Sequence, residues 1–541
     1  MNWKKVLAVS LALVLIVGAV GMAGCGKKEP AGDQAKEPAQ VIRYHGHSEP
    51  ETMDPAKMTG LPEGTIANAL FDMLTRYDAN SQPQAAAAES WTVSTDGLVY
   101  TFKLRDAKWS NGDPVTAEDF KFAWLRVLDP KMASDYAYQF YYIKGAEAYN
   151  GGKGKAEDVA IKVIDPKTLE VTLAAPAPQF LGLTAFQTYA PLNKTVVEAH
   201  PDWNTSPENY VSNGPFKMEK WEHKQLMTLV KNPNYWDANT VKLEKLEVYL
   251  LEDNNTAYTM YKTNKLDVMV ETIPTQELPS LKDAKDYHIF ADAATYYYRF
   301  NVKKKPLDNP KVRKALAMAI DRKAIVENIT QAEQKPAFAW VPFGFAEDKD
   351  KDFRETAGNS YFKEDVAEAQ KLLAEAGYPG GKGFPKLEIL VNTHEMHQKI
   401  AQAIQEMWKQ NLGINVGVTN KEWGVYLKAQ QELDYDISRS GWSPDYLDPM
   451  TFMDMFVTDG GNNNTGWSNA KYDELIKQAK STGDNAVRMK AMHDAEQILM
   501  DEMPIAPFYF YTKPTLIREN IKGVITPSFA VYAEFKWAYV E

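Results

Sequence analysis

Strand-like and helix-like patterns follow one another along this chain without a fixed repeat, and this alternation constrains the fold more than any other feature. Residues 98–105, LVYTFKLR, alternate apolar and polar side chains as a half-buried strand does. Residues 116–128, TAEDFKFAWLRVL, begin with a helix-capping threonine and then place apolar side chains on one face. Interleaved elements of both kinds predict an α/β protein and not a solenoid of repeats.

The length of the chain, 541 residues, exceeds what one hydrophobic core normally serves, so we expect two or three domains. Glycines mark the expected ends of two long helices. Gly377 closes the segment EDVAEAQKLLAEAG, and Gly413 follows HQKIAQAIQEMWKQNL. Glycine adopts the left-handed backbone that ends many helices, so both positions are predicted C-terminal caps.

The first 25 residues have the features of an export signal. Lys4 and Lys5 precede an apolar run, and Ala23 and Gly24 come directly before Cys25, the only cysteine of the chain. This end resembles a bacterial lipoprotein signal, in which the cysteine is acylated and anchors the mature protein to the membrane. The apolar run is also long enough for an uncleaved membrane anchor, which is the competing interpretation. Residues 26–40 are polar and predict a flexible tether, with the folded part beginning near Val41.

Charge and motifs exclude several functions. A net charge of -11 argues against nucleic-acid binding, which needs a basic surface. No G-x-S-x-G nucleophile elbow and no phosphate-binding P-loop occur in the sequence. The segment HEMHQ, residues 394–398, places its second histidine at i+3, whereas the metalloprotease helix needs i+4. We therefore expect no catalytic residue, no metal and no cofactor, and an extracellular peptidase is disfavoured.

The segment SRSGWSPDYLDPM, residues 438–450, combines prolines, aromatic side chains and carboxylates. Proline-rich acidic segments are usually surface turns. A carboxylate flanked by Trp442 and Tyr446 also suits a buried site for a cation. The local pattern leaves both interpretations of Asp445 open.

Longer segments resemble the extracellular solute-binding proteins of family 5, which serve ABC importers of peptides and nickel. The resemblance is collinear over the whole mature chain. Three further segments resemble the oligopeptide-binding branch of the family: residues 135–152, 295–301 and 439–452. The family-level match is carried by EPETMDPAK (49–57), the run at 87–124, SNGPFK (212–217) and NPNYWD (232–237).

The resemblance implies an α/β fold of the periplasmic-binding-protein type, in its large three-domain class II form. Two lobes joined by a hinge would bury the ligand in a cleft between them. The implied division gives a signal peptide and lipidated cysteine at 1–25, a tether at 26–40, domain I at 41–71, 195–293 and 513–541, domain II at 72–194 and domain III at 294–512.

The resemblance also implies roles for individual residues in holding an extended peptide. Asp445 is expected to bind the α-ammonium group of the peptide, and Arg439 and His397 are expected to meet its C-terminal carboxylate as positive groups. The peptide backbone would pair with two segments, Thr59–Gly60–Leu61 and Gly441–Trp442–Ser443. Pocket walls are expected from Tyr136, Tyr297, Trp423 and Tyr446.

Some positions depart from the family pattern. Thr59 stands where a family member has an acidic residue, and Thr330 where it has a lysine used for very short peptides. Ala294 and Ser443 stand where it has a disulfide. The missing acid changes the charge partner of Arg439, and the missing lysine bears on dipeptide preference, so peptide length stays open.

Together these observations predict a monomeric, lipid-anchored receptor on the extracellular face of a bacterial, Gram-positive membrane. It would capture oligopeptides and deliver them to the permease subunits of an ABC importer. The alternative keeps the fold and dedicates it to a signalling or cell-wall peptide, or to another cargo such as haem or a metal chelate.

Overall fold

The computed structural model describes residues 38–358 and 360–541. The predicted signal peptide, the lipidated Cys25 and nearly all of the predicted tether lie outside the described residues. The strands of the described part are, in chain order, β1 (Val41–His45), β2 (Thr75–Tyr77), β3 (Pro83–Ala85), β4 (Ala88–Val93), β5 (Val99–Leu104), β6 (Ile161–Asp165), β7 (Thr168–Thr172), β8 (Phe216–Glu222), β9 (Leu226–Lys231), β10 (Lys245–Tyr249), β11 (Val268–Val270), β12 (Tyr287–Phe300), β13 (Lys335–Pro336), β14 (Ala346–Asp348), β15 (Lys351–Asp352), β16 (Leu387–Asn392), β17 (Val416–Lys421), β18 (Ile437–Trp442), β19 (Ile505–Ile517), β20 (Ile521–Lys522) and β21 (Tyr539–Val540).

The α-helices pack among the strands along the whole described chain. Shorter 3-10 turns also occur, and the one at Ala137–Tyr142 bears on the site. The α-helices are, in chain order, α1 (Leu61–Leu70), α2 (Ala117–Leu128), α3 (Ala146–Asn150), α4 (Phe180–Leu183), α5 (Lys194–Ala199), α6 (Asn254–Lys262), α7 (Leu278–Leu281), α8 (Pro310–Met318), α9 (Arg322–Ile325), α10 (Phe353–Thr356), α11 (Val366–Glu375), α12 (Glu395–Leu412), α13 (Trp423–Gln431), α14 (Met450–Met453), α15 (Ala470–Lys480) and α16 (Asn485–Glu502).

Strands from distant parts of the chain meet in one mixed sheet. Its order is β17-β16-β18-β12-β19-β11-β1-β10-β9-β8, and β13 pairs with β19 off this path. The two longest strands, β12 and β19, are antiparallel neighbours at its centre. A separate four-stranded sheet, β4-β5-β7-β6, is antiparallel throughout. The mixture of strands and helices confirms the α/β prediction.

The register between β12 and β19 shifts in two places, by a single residue of β19 between Tyr296 and Tyr297 and over a wider gap after Ala291. Ala291 pairs with Thr512, and the next pair is Thr295 with Phe510. Between these pairs, the backbone N–H of Ala293 donates to the carbonyl of Ser528, 2.8 Å away, in place of a ladder bond. The three residues in the gap therefore leave the sheet pattern.

Local predictions from sequence hold at several elements. The predicted strand at 98–105 is β5, and the predicted helix at 116–128 is α2, where the N–H of Thr116 donates to the carboxylate of Asp119 at 2.8 Å. Gly413 ends α12 with a φ of 70°, and Gly377 follows α11 with a φ of 98°. Both glycines have the left-handed backbone that the caps require.

The last residue of the predicted tether is bonded to the folded part. Gln40 already belongs to the folded part, since its side-chain amide donates to the carbonyl of Val540 at 2.9 Å and accepts from the N–H of Val540 at 3.0 Å. These two bonds tie the start of β1 to β21. Among the described residues, none of the helices has the length and apolar character needed to cross a membrane.

Candidate functional site

A cavity of about 150 Å³ lies where the central strands meet the loop before α1 and the starts of α12 and α13. Most of the residues that the sequence predicts for a ligand site contribute to its wall. These are Thr59, Gly60, Leu61, Tyr136, His397, Trp423, Arg439, Gly441, Trp442, Ser443 and Asp445.

Strand β18 offers an open backbone edge to this cavity. On one side it pairs with β12 through Trp442. On the other side it pairs with β16 only at Ile437 and Ser438. Beyond Ser438 this second edge has no strand partner among the described residues. An extended ligand can therefore add to the sheet here through backbone hydrogen bonds.

Two glycines let neighbouring side chains approach the backbone closely beside this edge. A side-chain carbon added at Gly441 would lie 2.9 Å from the hydroxyl of Tyr511, and one added at Gly60 would lie 2.8 Å from the ring of Trp423. Both distances are too short for a carbon in van der Waals contact. Glycine is therefore required on both facing segments by the space available, in addition to any need of the backbone.

Asp445 is a buried carboxylate, 4% exposed. Its Oδ2 accepts a hydrogen bond from the Gln139 amide at 2.6 Å, and its Oδ1 accepts one from the Tyr136 hydroxyl at 3.2 Å. It belongs to none of the ion pairs of the described residues, and Lys480 pairs instead with Asp454. Burial first, and the charge of Asp454 second, raise the pKa of Asp445 well above its ordinary value. A buried ammonium group would reverse this shift.

Arg439 lies on β18, six residues before Asp445, which follows the end of that strand. Its guanidinium donates to the Tyr511 hydroxyl at 2.9 Å and to the Asn392 side-chain oxygen at 3.3 Å, and it lies 5.1 Å from the centre of the Tyr296 ring. Its Nε has no hydrogen-bond partner. No carboxylate forms an ion pair with Arg439 in the part of the chain described. The cation is therefore held by neutral groups.

Three histidines line the cavity near Arg439. His394 and His397 stack with ring centres 4.3 Å apart at the start of α12, and His47 stacks on Tyr532 at 4.0 Å. Burial first, then the charge of Arg439, lowers the pKa of His394 to about 3 and that of His397 well below its ordinary value. The expectation that His397 is a positive group therefore needs correction: it is neutral near pH 7, because a second cation beside Arg439 is unfavourable.

Two predicted pocket residues lie outside the cavity wall. Tyr297 is fully buried and packs edge-on against Trp340, with ring centres 4.6 Å apart. Its neighbour Tyr296 points to the opposite face of β12, towards His397 and Arg439, because side chains alternate along a strand. Tyr446 is only 1% exposed, lies in the core and does not line the cavity. The pocket-wall interpretation is corrected for both residues.

Sequence reasoning missed several residues of the cavity wall. Glu271 follows β11, Asp292 lies in the interrupted part of β12, and Tyr511 belongs to β19. None of them stands in a motif, and the long-range pairing of these three strands brings them together. A weak signal was available for Asp292, which is an isolated acid in an otherwise apolar strand segment, FADAATYYY. Among the described residues, no group of three His, Cys, Asp or Glu side chains is arranged to hold a metal ion.

Comparison with known proteins gives one consistent group. Residues 82–464 match the family model of bacterial extracellular solute-binding proteins, family 5 middle. The oligopeptide-binding protein OppA of Bacillus subtilis is 42% identical over 540 residues, covering 97% of each chain. The crystal structure of an oligopeptide ABC transporter substrate-binding domain from Bacillus anthracis is 36% identical with a TM-score of 0.88, covering 93% of this chain and 99% of that one.

One further relative is known in two forms. The Escherichia coli murein tripeptide binding protein MppA is 33% identical in one structure, with a TM-score of 0.87 over 92% of this chain and 98% of that chain. For its unliganded open form, the match covers 93% of this chain and 97% of that chain, and the TM-score is only 0.63. The arrangement of this chain thus differs from the open form. The α/β fold of the periplasmic-binding-protein type, expected from the resemblance, is confirmed.

Proposed function

We propose, because the chain belongs to the bacterial extracellular solute-binding proteins of family 5, that it captures oligopeptides in an extended conformation and delivers them to an ABC peptide importer. The single observation that carries the proposal is the charge arrangement along β18. Among the described residues, Asp445 is a buried carboxylate with no paired cation and Arg439 is a cation with no paired carboxylate. Arg439 lies where the open edge of β18 begins, and Asp445 lies just beyond the end of the strand.

This arrangement suits the two groups that every linear peptide carries. The α-ammonium would pair with Asp445, where a desolvated, charge-assisted hydrogen bond is strong and directional. The backbone would pair with the edge at Gly441 and Ser443, and the side chain of Ser443 offers a hydroxyl that has no partner among the described residues. Affinity then comes from groups that do not depend on the peptide sequence.

The direction and length of the ligand follow from the same strand. Asp445 lies at the C-terminal end of β18, so a peptide with its N-terminus there runs antiparallel to the strand. Six residues of extended chain span at most about 20 Å, because a strand rises roughly 3.3 Å per residue. Short peptides can therefore reach both charges, whereas longer ones would have to bulge or pass Arg439.

The finer parts of the proposal rest on sequence. We assign domain I to 41–71, 195–293 and 513–541, domain II to 72–194 and domain III to 294–512. A lipid anchor on Cys25 would hold a monomeric receptor on the extracellular face of a Gram-positive membrane. Binding without catalysis is the activity expected of a solute-binding protein. Cargo such as haem or a metal chelate is not favoured, since the Bacillus subtilis and Bacillus anthracis relatives compared above are named for oligopeptides.

Native mass spectrometry combined with calorimetry tests the function. Protein purified without denaturation is expected to carry a mixture of peptide masses, and after unfolding and refolding it should bind tetra-alanine with one site. A single retained mass would point to a dedicated peptide. Failure to bind any of a set of di- to hexapeptides would overturn the proposal.

A further inference from the structure

Two carboxylates line the cavity away from Asp445, on the side formed by β11, β12 and β19. Glu271 directly follows β11, and Asp292 lies in the gap of the β12–β19 ladder. The side chain of Asp292 is only 2% exposed. Glu271 is half-buried, and its Oε1 is shielded from solvent. Both therefore lie in surroundings that disfavour a negative charge unless a cation is near.

The cations of the described residues do not balance this pair. Lys513 lies 3.5 Å from Oδ1 of Asp292, and it donates to the carbonyls of Pro527 at 2.8 Å and Val531 at 3.1 Å. Glu271 takes part in no ion pair within the described ranges. Within the described part of the chain, Oε1 of Glu271 and Oδ1 of Asp292 accept no hydrogen bond. Two carboxylates thus share one lysine, and this cluster has an excess of one negative charge when both carboxylates are ionised.

The electrostatic environment of Glu271 also favours the binding of a cation beside it. Burial and the charge of Asp292 raise the pKa of Glu271 to about 8, while Lys513 and Arg439 lower it by less. The other titratable groups that interact with Glu271 are the tyrosines at positions 44, 509, 511 and 532. None of these tyrosines supplies a positive charge. An ionised Glu271 is therefore costly until a cation enters the cavity.

Flat side chains flank these acids in the cavity wall. Tyr511 and Tyr532 line the same cavity, and His47 stacks on Tyr532. Aromatic faces suit the methylene stem of a long basic side chain and attract its charged end. An acidic end with aromatic walls is the chemistry that recognises lysine and arginine.

We propose that Glu271 and Asp292 form a specificity pocket for the charged end of a lysine or arginine side chain of the bound peptide. This inference rests on the proposed function and names its side-chain preference. Since Glu271 also feels the charge of Arg439, the pocket lies towards the C-terminal end of a peptide whose N-terminus meets Asp445. The basic residue is therefore expected in the C-terminal half of the peptide.

Calorimetry with matched peptides tests the pocket. The probes are tetra-alanine and four tetrapeptides with one lysine at each position, each paired with its norleucine counterpart. At one C-terminal-half position, lysine is expected to bind about 10- to 100-fold more tightly than norleucine, as charged hydrogen bonds allow. Glu271→Gln should reduce that ratio about tenfold or more and leave tetra-alanine binding in place.

A proton measurement separates recognition from a structural role. At pH 7, binding of the preferred lysine peptide should release more protons than binding of its norleucine partner, because the incoming cation ionises Glu271. Calorimetry in buffers of different ionisation enthalpy measures this difference, which Glu271→Gln should abolish. Glu51→Gln is the matched control: the pKa of Glu51 is also raised, to about 7, but Glu51 does not line the cavity.

The outcomes are distinct. Equal affinity for lysine and norleucine at every position would overturn the pocket while leaving peptide binding intact. An equal loss for both peptides in Glu271→Gln would make Glu271 a counter-charge of Arg439 and would also overturn it. If Glu271→Gln melts much below the wild type, Asp292→Asn must show the same loss of lysine preference for the pocket to stand. Absence of all peptide binding would instead refute the proposed function.

Discussion

Two sets of buried charges in this protein differ in their partners, one in the framework and one in the cavity. In the framework, Arg354 and Glu496 are both fully buried and pair at 2.6 Å, and Glu496 also accepts from the backbone N–H groups of Trp340 and Val341 at 2.9 Å. In the cavity, Asp445 and Arg439 are held by neutral hydrogen-bond partners and form no ion pair with any described residue.

The comparison shows what each charge is for. A buried pair that is complete within the chain fixes two segments together, and removal of one partner leaves the other charge desolvated. A buried charge without a partner of opposite charge lowers the stability of the fold and raises the affinity for a ligand group that supplies that partner. For these four residues, pairing within the chain separates the charges that hold the framework from those proposed to bind the ligand.

Removal of a framework charge should have the largest effect. Arg354→Met leaves Glu496 buried without its cation, so we expect the free energy of unfolding to fall by about 3–5 kcal/mol. Urea denaturation measures this change. Lys323→Met is the control, because its pair with Glu327 is exposed and should contribute at most about 0.5 kcal/mol. Similar losses in both variants would erase the distinction between buried and exposed pairs.

Removal of the Asp445 carboxylate should weaken peptide binding without lowering the stability of the free protein. Asp445→Ala is expected to weaken tetrapeptide binding by about 2–5 kcal/mol, since the peptide ammonium is left buried and unpaired. Calorimetry measures the affinity, and thermal unfolding of the free protein should show no loss.

The same segment supplies the reciprocal control for this variant. Asp448 is paired with Arg488 at 2.8 Å, so Asp448→Ala should destabilise the fold and preserve affinity in the protein that remains folded. Unchanged affinity in Asp445→Ala would remove that residue from the ligand site.

The cavity cation should contribute less and only to some peptides. Arg439→Met is expected to weaken binding of a short peptide with a free C-terminus by about 1.5–3 kcal/mol, the range of a charged hydrogen bond. Amidation of the same peptide should weaken wild-type binding similarly and have little further effect in the variant. Additive losses in this double cycle would show that Arg439 and the carboxylate do not meet.

The smallest effect should appear in the stability of the free protein as pH changes. The pKa of Asp445 is raised in the folded state, so the folded state holds this proton more tightly than the unfolded chain does. This contribution favours the fold most below the unfolded pKa of about 3.9, and it is lost as pH rises towards the raised folded pKa. Asp445→Asn should therefore stabilise the free protein at neutral pH by about 0.5–2 kcal/mol. A variant that is less stable than the wild type at pH 7 would contradict the assignment.

Local sequence patterns were sufficient for the elements whose signals are themselves local. The capped start of α2 and the glycine end of α12 depend on neighbouring residues, and both were predicted. The family resemblance supplied eleven residues of the cavity wall. The resemblance placed Tyr297 in the pocket wall, but its side chain packs on Trp340 at the other face of β12. A difference of one residue along a strand moves a side chain to the opposite face of the sheet.

The remaining residues of the site could not be read from the sequence. Glu271 and Asp292 are 21 residues apart and meet through β19, which comes more than 200 residues later. No local pattern encodes that contact. The neutral state of His397 also depends on burial and on Arg439, which only the folded structure brings beside it.

The gap in the β12–β19 ladder has a mechanical consequence. A sheet resists bending because each hydrogen-bonded pair restrains the next, and the sheet is most compliant where pairs are missing. Here the missing pairs lie between Ala291 and Thr295, in the wall of the cavity itself. Deformation of the central sheet is thus concentrated in the cavity wall. A ligand bound in the cavity would therefore restrain the part of the sheet that bends most easily.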